Sequence, residues 1–411
     1  MVIKLPQNPW AQRGEISLEL PDEWEVHIKD IAGSKCKPLE PEEIRKAVKN
    51  PVSGPPLREL AKGKGEVVII FDDTSRITPV KAIVPWIIEE LEAGGIKEEN
   101  IRFIAALGCH GTMNRMDFQN KLGEEVLRRF PVYNHNPFGN CRFVGTTRTG
   151  THLFVNEEVM RCDLKVAIGS VVPHIMTGFG GGGKIILPGV SSFDCVREFH
   201  QKGKERHKGK GGPFGILELL KDNPLRMDME DAVRLVNLDF KVEVLVNSKG
   251  EAVEVFSGFP EKAYEKAIQR AIVHYRGEPV KGASIVISNV FSKANEGEIG
   301  VITTIPLLKE DGGDIVLIWS VPEGHVNHYL MGTFGRWNDP PLPLRTNLPS
   351  NLRHLLVFSP YPELSFKDYF VQKERIIFFE KWEDLLSFLK KRHPSGSKVV
   401  VYPSADIHYF N

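Results

Sequence analysis

The sequence predicts an α/β protein of two domains, each a mostly parallel sheet flanked by helices. Three observations predict it. Short β-branched runs alternate with helical patterns, the signature of β-α-β units. The chain has 411 residues, where a domain takes roughly 100–200. Gly, Pro and Lys cluster at Arg276 to Ala283, directly after a long helical stretch, which marks a domain boundary. In chain order, the run Glu66 to Phe71 is followed by an amphipathic segment, Pro79 to Glu92, and then by the run Asn100 to Leu107. Further apolar runs are Leu164 to Ser170, Ser284 to Asn289, Asp314 to Ser320, His354 to Ser359, Arg375 to Phe379 and Lys398 to Tyr402. Helices are expected at Pro260 to Tyr275, which opens with Pro in its first turn, and at Lys381 to Lys391. The larger domain is expected over 1–277 and the smaller over 278–411. The terminal strand is free to return to the first domain.

Composition removes several function classes. Apolar residues make up 41% and charged residues 26%, as in ordinary soluble chains, so neither disorder nor a fibrous repeat fits. Lys plus Arg and Asp plus Glu are each 53, leaving no global field to gather phosphate backbones or anionic lipid. Nucleic acid is not the expected partner. The five cysteines are odd in number and never spaced C-x-x-C, which suits neither a disulfide framework nor a thiolate zinc site. Pro6, Asn8 and Pro9 interrupt the N-terminus, and no stretch approaches 18 consecutive apolar residues. A cytoplasmic protein that neither spans nor crosses a membrane is expected.

In open α/β sheets ligands bind beyond the carboxyl ends of the strands, and the unusual polar residues fall there. After the first run comes Asp72-Asp73-Thr74-Ser75-Arg76-Ile77-Thr78-Pro79, which offers carboxylate, hydroxyl and guanidinium from one turn, with Thr78 placed to cap the next helix. Asp and Thr are also ordinary turn residues; Arg76 is less easily explained that way. After the second run, Gly108-Cys109-His110-Gly111 sets a histidine between glycines. After Leu164 to Ser170 comes Pro173-His174. One such histidine is commonly structural; two at equivalent strand ends suit proton transfer near neutral pH.

The stretch Gly178-Phe179-Gly180-Gly181-Gly182-Gly183-Lys184-Ile185-Ile186-Leu187-Pro188-Gly189 matches the letters of both a P-loop and a dinucleotide fingerprint. Neither context holds. Ile185 stands where a magnesium-binding Ser or Thr belongs, and Pro188 ends any helix after one turn. What remains is either a flexible loop or a glycine approach path ending in one lysine, with a strand-like segment, Ile185 to Leu187, behind it. A lysine desolvated there has a lowered pKa and an amine available for covalent attachment. Downstream, Ser191 to His200 reads as a capped helix with Val196 and His200 one turn apart on one face. A lone imidazole makes no protein-only metal centre, but permits a ligand-supplied one. Gln201 to Pro213, with Lys202, Lys204, Arg206, Lys208 and Lys210, is a solvated loop or a mobile lid for an anionic substrate.

Taken jointly, Asp73-Thr74-Ser75-Arg76 with Pro79, Gly108-Cys109-His110, Pro173-His174, the loop around Lys184, His200, and Asn223-Pro224-Leu225-Arg226-Met227-Asp228-Met229-Glu230 resemble the lactate racemase family of nickel-pincer nucleotide enzymes. The resemblance covers about 65 to 235. It implies a 2-hydroxy-acid racemase or epimerase with its active site in the cleft between the domains. Lys184 would carry the pyridinium mononucleotide through a thioamide, and His200 would complete the nickel ligands. His110 and His174 would be the acid/base pair about a substrate whose carbinol hydride leaves and returns. Arg76 would hold a carboxylate, Asp73 and Ser75 would position the nucleotide, and Gly180, Gly181, Gly182 and Gly183 would approach it with backbone amides. Cofactor-maturation proteins would be partners. The chain departs from the family where a Gln and a Lys one turn apart are expected: here Ser292-Lys293-Ala294-Asn295-Glu296-Gly297-Glu298 stands. Lactate is therefore doubtful; Asn295 and Glu296 suit a more hydroxylated substrate such as a sugar acid, and Trp337 either covers the site or is core. Two other readings stay open: an NAD(P)-dependent hydroxy-acid dehydrogenase, and a non-catalytic nucleotide- or anion-binding protein.

Overall fold

Val67–Asp72 is buried along its whole length, as a central parallel strand must be when both sheet faces are covered. The structure, a computed structural model, describes residues 1–8, 10, 14–206, 212–330 and 345–411. The first sheet has six strands in the order Ala252–Gly258, Phe240–Val246, Leu164–Ser170, Val67–Asp72, Ile101–Ala106 and Val132–Asn134. Its first pair is antiparallel and the rest are parallel. One face packs Val68, Ile70, Ile104 and Ala167 against Ile185 to Leu187 and against two helices, Phe193–Arg206 and Pro224–Val236. The second of these starts because Asn223 accepts a hydrogen bond from the Leu225 amide and Pro224 fills the first turn.

The second sheet is parallel throughout, in the order Ile376–Phe379, Leu352–Phe358, Gly313–Ile318, Ile285–Asn289, Lys398–Tyr402 and Glu25–Ile28. It has an apolar layer on each side, one including Val286, Leu317 and Trp319, the other Ile285, Val316 and Trp382. Two compact units result: Lys35–Gly211 with Gly215–His274, and Met1–Ser34 with Gly212–Phe214 and Tyr275–Asn411.

A mixed α/β architecture with mostly parallel, helix-flanked sheets is thus what the chain adopts. The division differs from a single break near 277 because Glu25–Ile28 pairs with Lys398–Val401, a contact no local pattern announces. Lys398–Tyr402 lies inside the second sheet and does not return to the first. Ile185 to Leu187 is not strand-like: Gly182–Ile185 is a 3-10 turn, and the Ile186 and Leu187 amides both donate to Gly183 O at 3.0 Å. The three apolar side chains reach the core through that turn. Thr78 does not cap the following helix, Val80–Ala93; its hydroxyl donates to Asp72 Oδ2. No described helix is long and apolar enough to cross a membrane.

Candidate active site

Three adjacent strands of the first sheet, Leu164–Ser170, Val67–Asp72 and Ile101–Ala106, deliver the three polar loops to one edge. The Asp73 loop and the His110 loop meet directly. Asp73 Oδ1 accepts from the Ser75 amide at 3.0 Å and from the Ser75 hydroxyl, and Asp73 Oδ2 is 2.6 Å from His110 Nδ1. Burial alone would raise the Asp73 carboxyl, but His110, Arg76 and Ser75 outweigh it and hold it below the usual range. An ionised carboxylate accepts, so Nδ1 is the protonated nitrogen and Nε2 carries the lone pair. Arg76 Nη1 donates to Ser75 O (2.7 Å) and Ser75 Oγ (2.9 Å). Asp73 thus joins Ser75 through Oδ1 to the imidazole through Oδ2, and Ser75 in turn holds the guanidinium.

His174 is held differently. It sits in a two-residue hairpin pairing with Gly178, and its Nδ1 accepts from the amides of Met176 (3.2 Å) and Thr177 (3.3 Å). In the neutral ring the proton is then on Nε2.

The glycine loop follows that hairpin. Gly181 and Gly182 have φ of +78° and +58°, where side chains are strained. A Cβ on Gly183 would lie 2.0 Å from Met229 O, so close packing against protein requires this glycine. The Gly180 amide donates to Val172 O (2.7 Å) and the Gly182 amide to Glu243 Oε1 (2.6 Å), so these two amides are spent inside the protein. Lys184 is half-buried, with its amide on Gly181 O (3.2 Å) and its carbonyl accepting from Gly189 (3.1 Å). Gly108 donates to Gly189 O at 2.8 Å, which joins the lysine loop to the His110 loop. The next helix begins only at Phe193, so no helix N-terminus follows the glycines as a nucleotide-phosphate fingerprint needs.

His200 donates from Nδ1 to Val196 O at 2.7 Å, which leaves Nε2 as the acceptor nitrogen of a ring fixed by backbone, the usual state of a metal-ligating imidazole. Burial pushes the Cys109 and Cys195 thiols up, so neither offers a thiolate. No group of three His, Cys, Asp or Glu able to hold a metal exists among the described residues. This donor set fits a metal whose other ligands arrive with a bound group.

In the other unit, Asn295 and Glu296 lie on the loop after Ile285–Asn289. Asp406 Oδ2 anchors that loop by accepting from the amides of Phe291 (3.1 Å) and Lys293 (2.6 Å). Asn295 is buried, and its Oδ1 has no hydrogen-bond partner among the described residues. Trp337 and residues 207–211 of the basic loop lie outside the described residues.

Asn134 escapes sequence reasoning altogether, and the contacts of Asp228 and Arg226, though both stand in the Asn223 to Glu230 motif, could not be read from it. Asn134 pins the His110 loop through both Met113 backbone groups, at 3.1 and 2.8 Å. Asp228 gathers the hydroxyls of Thr147, Thr149 and Thr151. Arg226 donates to Tyr264 Oη at 2.6 Å and lies over its ring.

Residues 12–211 match the family model described as the lactate racemase N-terminal domain. The chain is 28% identical over 341 residues to a lactate racemase of Thermoanaerobacterium thermosaccharolyticum, covering 80% of this chain and 77% of that protein. It is 25% identical over 309 residues to a lactate racemase of Lactiplantibacillus plantarum, covering 72% and 70%. Its fold matches the lactate racemase apoprotein from T. thermosaccharolyticum with a TM-score of 0.72 at 22% identity over 100% of both chains. A Thermotoga maritima protein matches at 0.66 and 19% identity, over 91% of this chain and 98% of that one. With motifs and fold in agreement, residues 12–211 form a lactate racemase N-terminal domain, and the chain is similar to lactate racemases over most of its length.

Proposed function

We propose that the chain is a racemase or epimerase inverting the 2-hydroxy carbon of a 2-hydroxy acid, with a nickel-pincer nucleotide carried on Lys184 and ligated through His200. The observation that carries this reading is the Asp73–His110 pair, 2.6 Å apart, which orients the imidazole for proton transfer through Nε2. When bound, the nucleotide supplies reversible hydride acceptance at the carbinol carbon. The protein's own work is protonic and positional. His110 Nε2 takes the hydroxyl proton, and Asp73 stabilises the resulting imidazolium. His174 presents its Nε2–H to the substrate oxygen; for full proton exchange its Nδ1 must leave the Met176 and Thr177 amides. Arg76, anchored by Ser75, takes the carboxylate. Asp73 and Ser75 act on the nucleotide indirectly, by ordering these two groups. Asn295 and Glu296 favour a polyhydroxylated acid over lactate, which a panel of 2-hydroxy acids tests.

The decisive experiment is intact mass with nickel analysis of protein made in a cofactor-producing host, alongside Lys184→Ala. The expected result is an adduct on the wild type, lost with activity in the variant; activity surviving without Lys184 defeats the proposal. A substrate deuterated at the 2-position is expected to keep its label through inversion, which plain proton abstraction would wash out.

A further inference from the structure

Beneath the two loops runs a row of buried charges that the chemistry above does not use. In the first sheet Glu243 pairs with Gly169, and the pairing of Val67–Phe71 with Leu164–Ile168 brings Asp72 level with Gly169 on the other side. Lys121 is ion-paired to Asp72 Oδ1 at 2.8 Å, and Lys241 to Glu243 Oε2 at 3.4 Å. Lys121, Lys241 and Glu243 are each 0% exposed. A Cβ on Gly169 would lie 3.0 Å from Lys241 Nζ and 3.7 Å from Asp72 Oδ2, so glycine there leaves room for the middle of the row.

The ends of the row are the two loops. Lys121 Nζ donates to the carbonyls of Asp73 (2.9 Å), whose side chain holds His110, and Arg76 (2.7 Å). Glu243 Oε1 accepts from the Gly182 amide at 2.6 Å, two residues before Lys184. Burial pushes the Glu243 carboxyl up, opposed by Lys241 and by that amide. Burying charges is costly, and a pair is weak evidence for stability, so a geometric role is the better account of this row. The turn needs such a clamp, since two successive glycines at positive φ give it no stiffness of its own.

We propose that Glu243 is a positioning residue for Lys184: its carboxylate clamps the glycine turn, and the charge row ties that turn to the Asp73–Arg76 loop. This rests on the reading of Lys184 as the cofactor anchor. The test compares Lys241→Met/Glu243→Leu, which removes the charge pair and the acceptor, with Lys241→Met/Glu243→Gln, which removes the charges but keeps the acceptor. Amide exchange is read over residues 181–184 in cofactor-free protein, and adduct fraction by intact mass after maturation. The Leu pair is expected to speed exchange at least tenfold and cut the adduct fraction at least fivefold; the Gln pair is expected to stay within twofold of wild type on both. The proposal is overturned if the Leu pair matches wild type, if the Gln pair is as impaired as the Leu pair, or if the wild-type Gly182 amide exchanges at an unprotected rate. The last measurement decides the matter even where the Leu pair does not fold. A wild type that never acquires an adduct defeats the Lys184 reading instead, and exchange then still judges Glu243.

Discussion

Replacing Asp73 with Asn isolates the carboxylate behind His110. Asn keeps the size, and its Oδ1 still accepts from the Ser75 amide, now 3.0 Å away. What goes is the charge that makes the 2.6 Å contact to His110 Nδ1 a charge-assisted bond. Such bonds contribute about 1.5–3 kcal/mol, and each factor of ten in rate corresponds to about 1.36 kcal/mol. If the full bond is realised as His110 takes the proton, kcat falls about 10- to 150-fold in Asp73→Asn. A ring that also turns to its other tautomer loses the general-base contribution as well, about 10²–10⁴. Because His110 and Arg76 hold Asp73 below the usual carboxylate range, its charge is present throughout neutral pH. The assay is chiral chromatography of a 2-hydroxy acid, normalised to adduct content by intact mass. Activity within threefold of wild type at equal adduct content would show that Asp73 does not support the base.

The two histidines are predicted to differ: His110→Gln removes the base, whereas His174→Gln keeps a hydrogen-bond donor and is expected to retain at least tenfold more activity. Equal losses would refute the assignment of their proton states. His200→Ala is expected to lose nickel while keeping the Lys184 adduct; stoichiometric nickel in the variant would reassign the ligand. Gly183→Ala drives a methyl against Met229 O, 2.0 Å away in an unmoved backbone, and overpacking of about 1–3 kcal/mol should lower the melting temperature by about 2–12 °C. An unchanged melt would mean the turn moves freely. His135, buried with Nε2 donating to Ser191 O, is pushed down to about 4 by burial, so the fold prefers the neutral ring. The unfolded chain then binds the extra proton first, and stability should fall by about 3 kcal/mol as pH drops from about 6.5 to about 4. His135→Gln should flatten that slope in urea titrations, and an unaltered slope would place the effect elsewhere.

What was legible in the sequence follows from what each element asks of it. Central parallel strands are buried on both faces, so Leu164–Ser170 and Lys398–Tyr402 stand out at their bounds as largely apolar runs. Glu25–Ile28 carries no such run and is a strand only because it lies against residues nearly four hundred positions later, a pairing set by tertiary contact. The candidate-site loops were visible because polar side chains after an apolar strand are conspicuous. Their supports were not.

Lys241 and Glu243 show why. In Phe240–Val246 they alternate with apolar residues, the pattern of a strand with one wet face, yet every residue of that strand is buried. Their charges are satisfied by each other and by the Gly182 amide, and such pairing is a property of register between strands that no single segment contains. The same holds for Lys121, whose place in Arg115–Leu122 reads as a solvated helix position until its ammonium is seen to reach Asp72 and two loop carbonyls. A residue that touches substrate must be chemically distinctive, and so it can be found by type. One that only holds another in place can be any polar group of the right length, and it is found by distance alone.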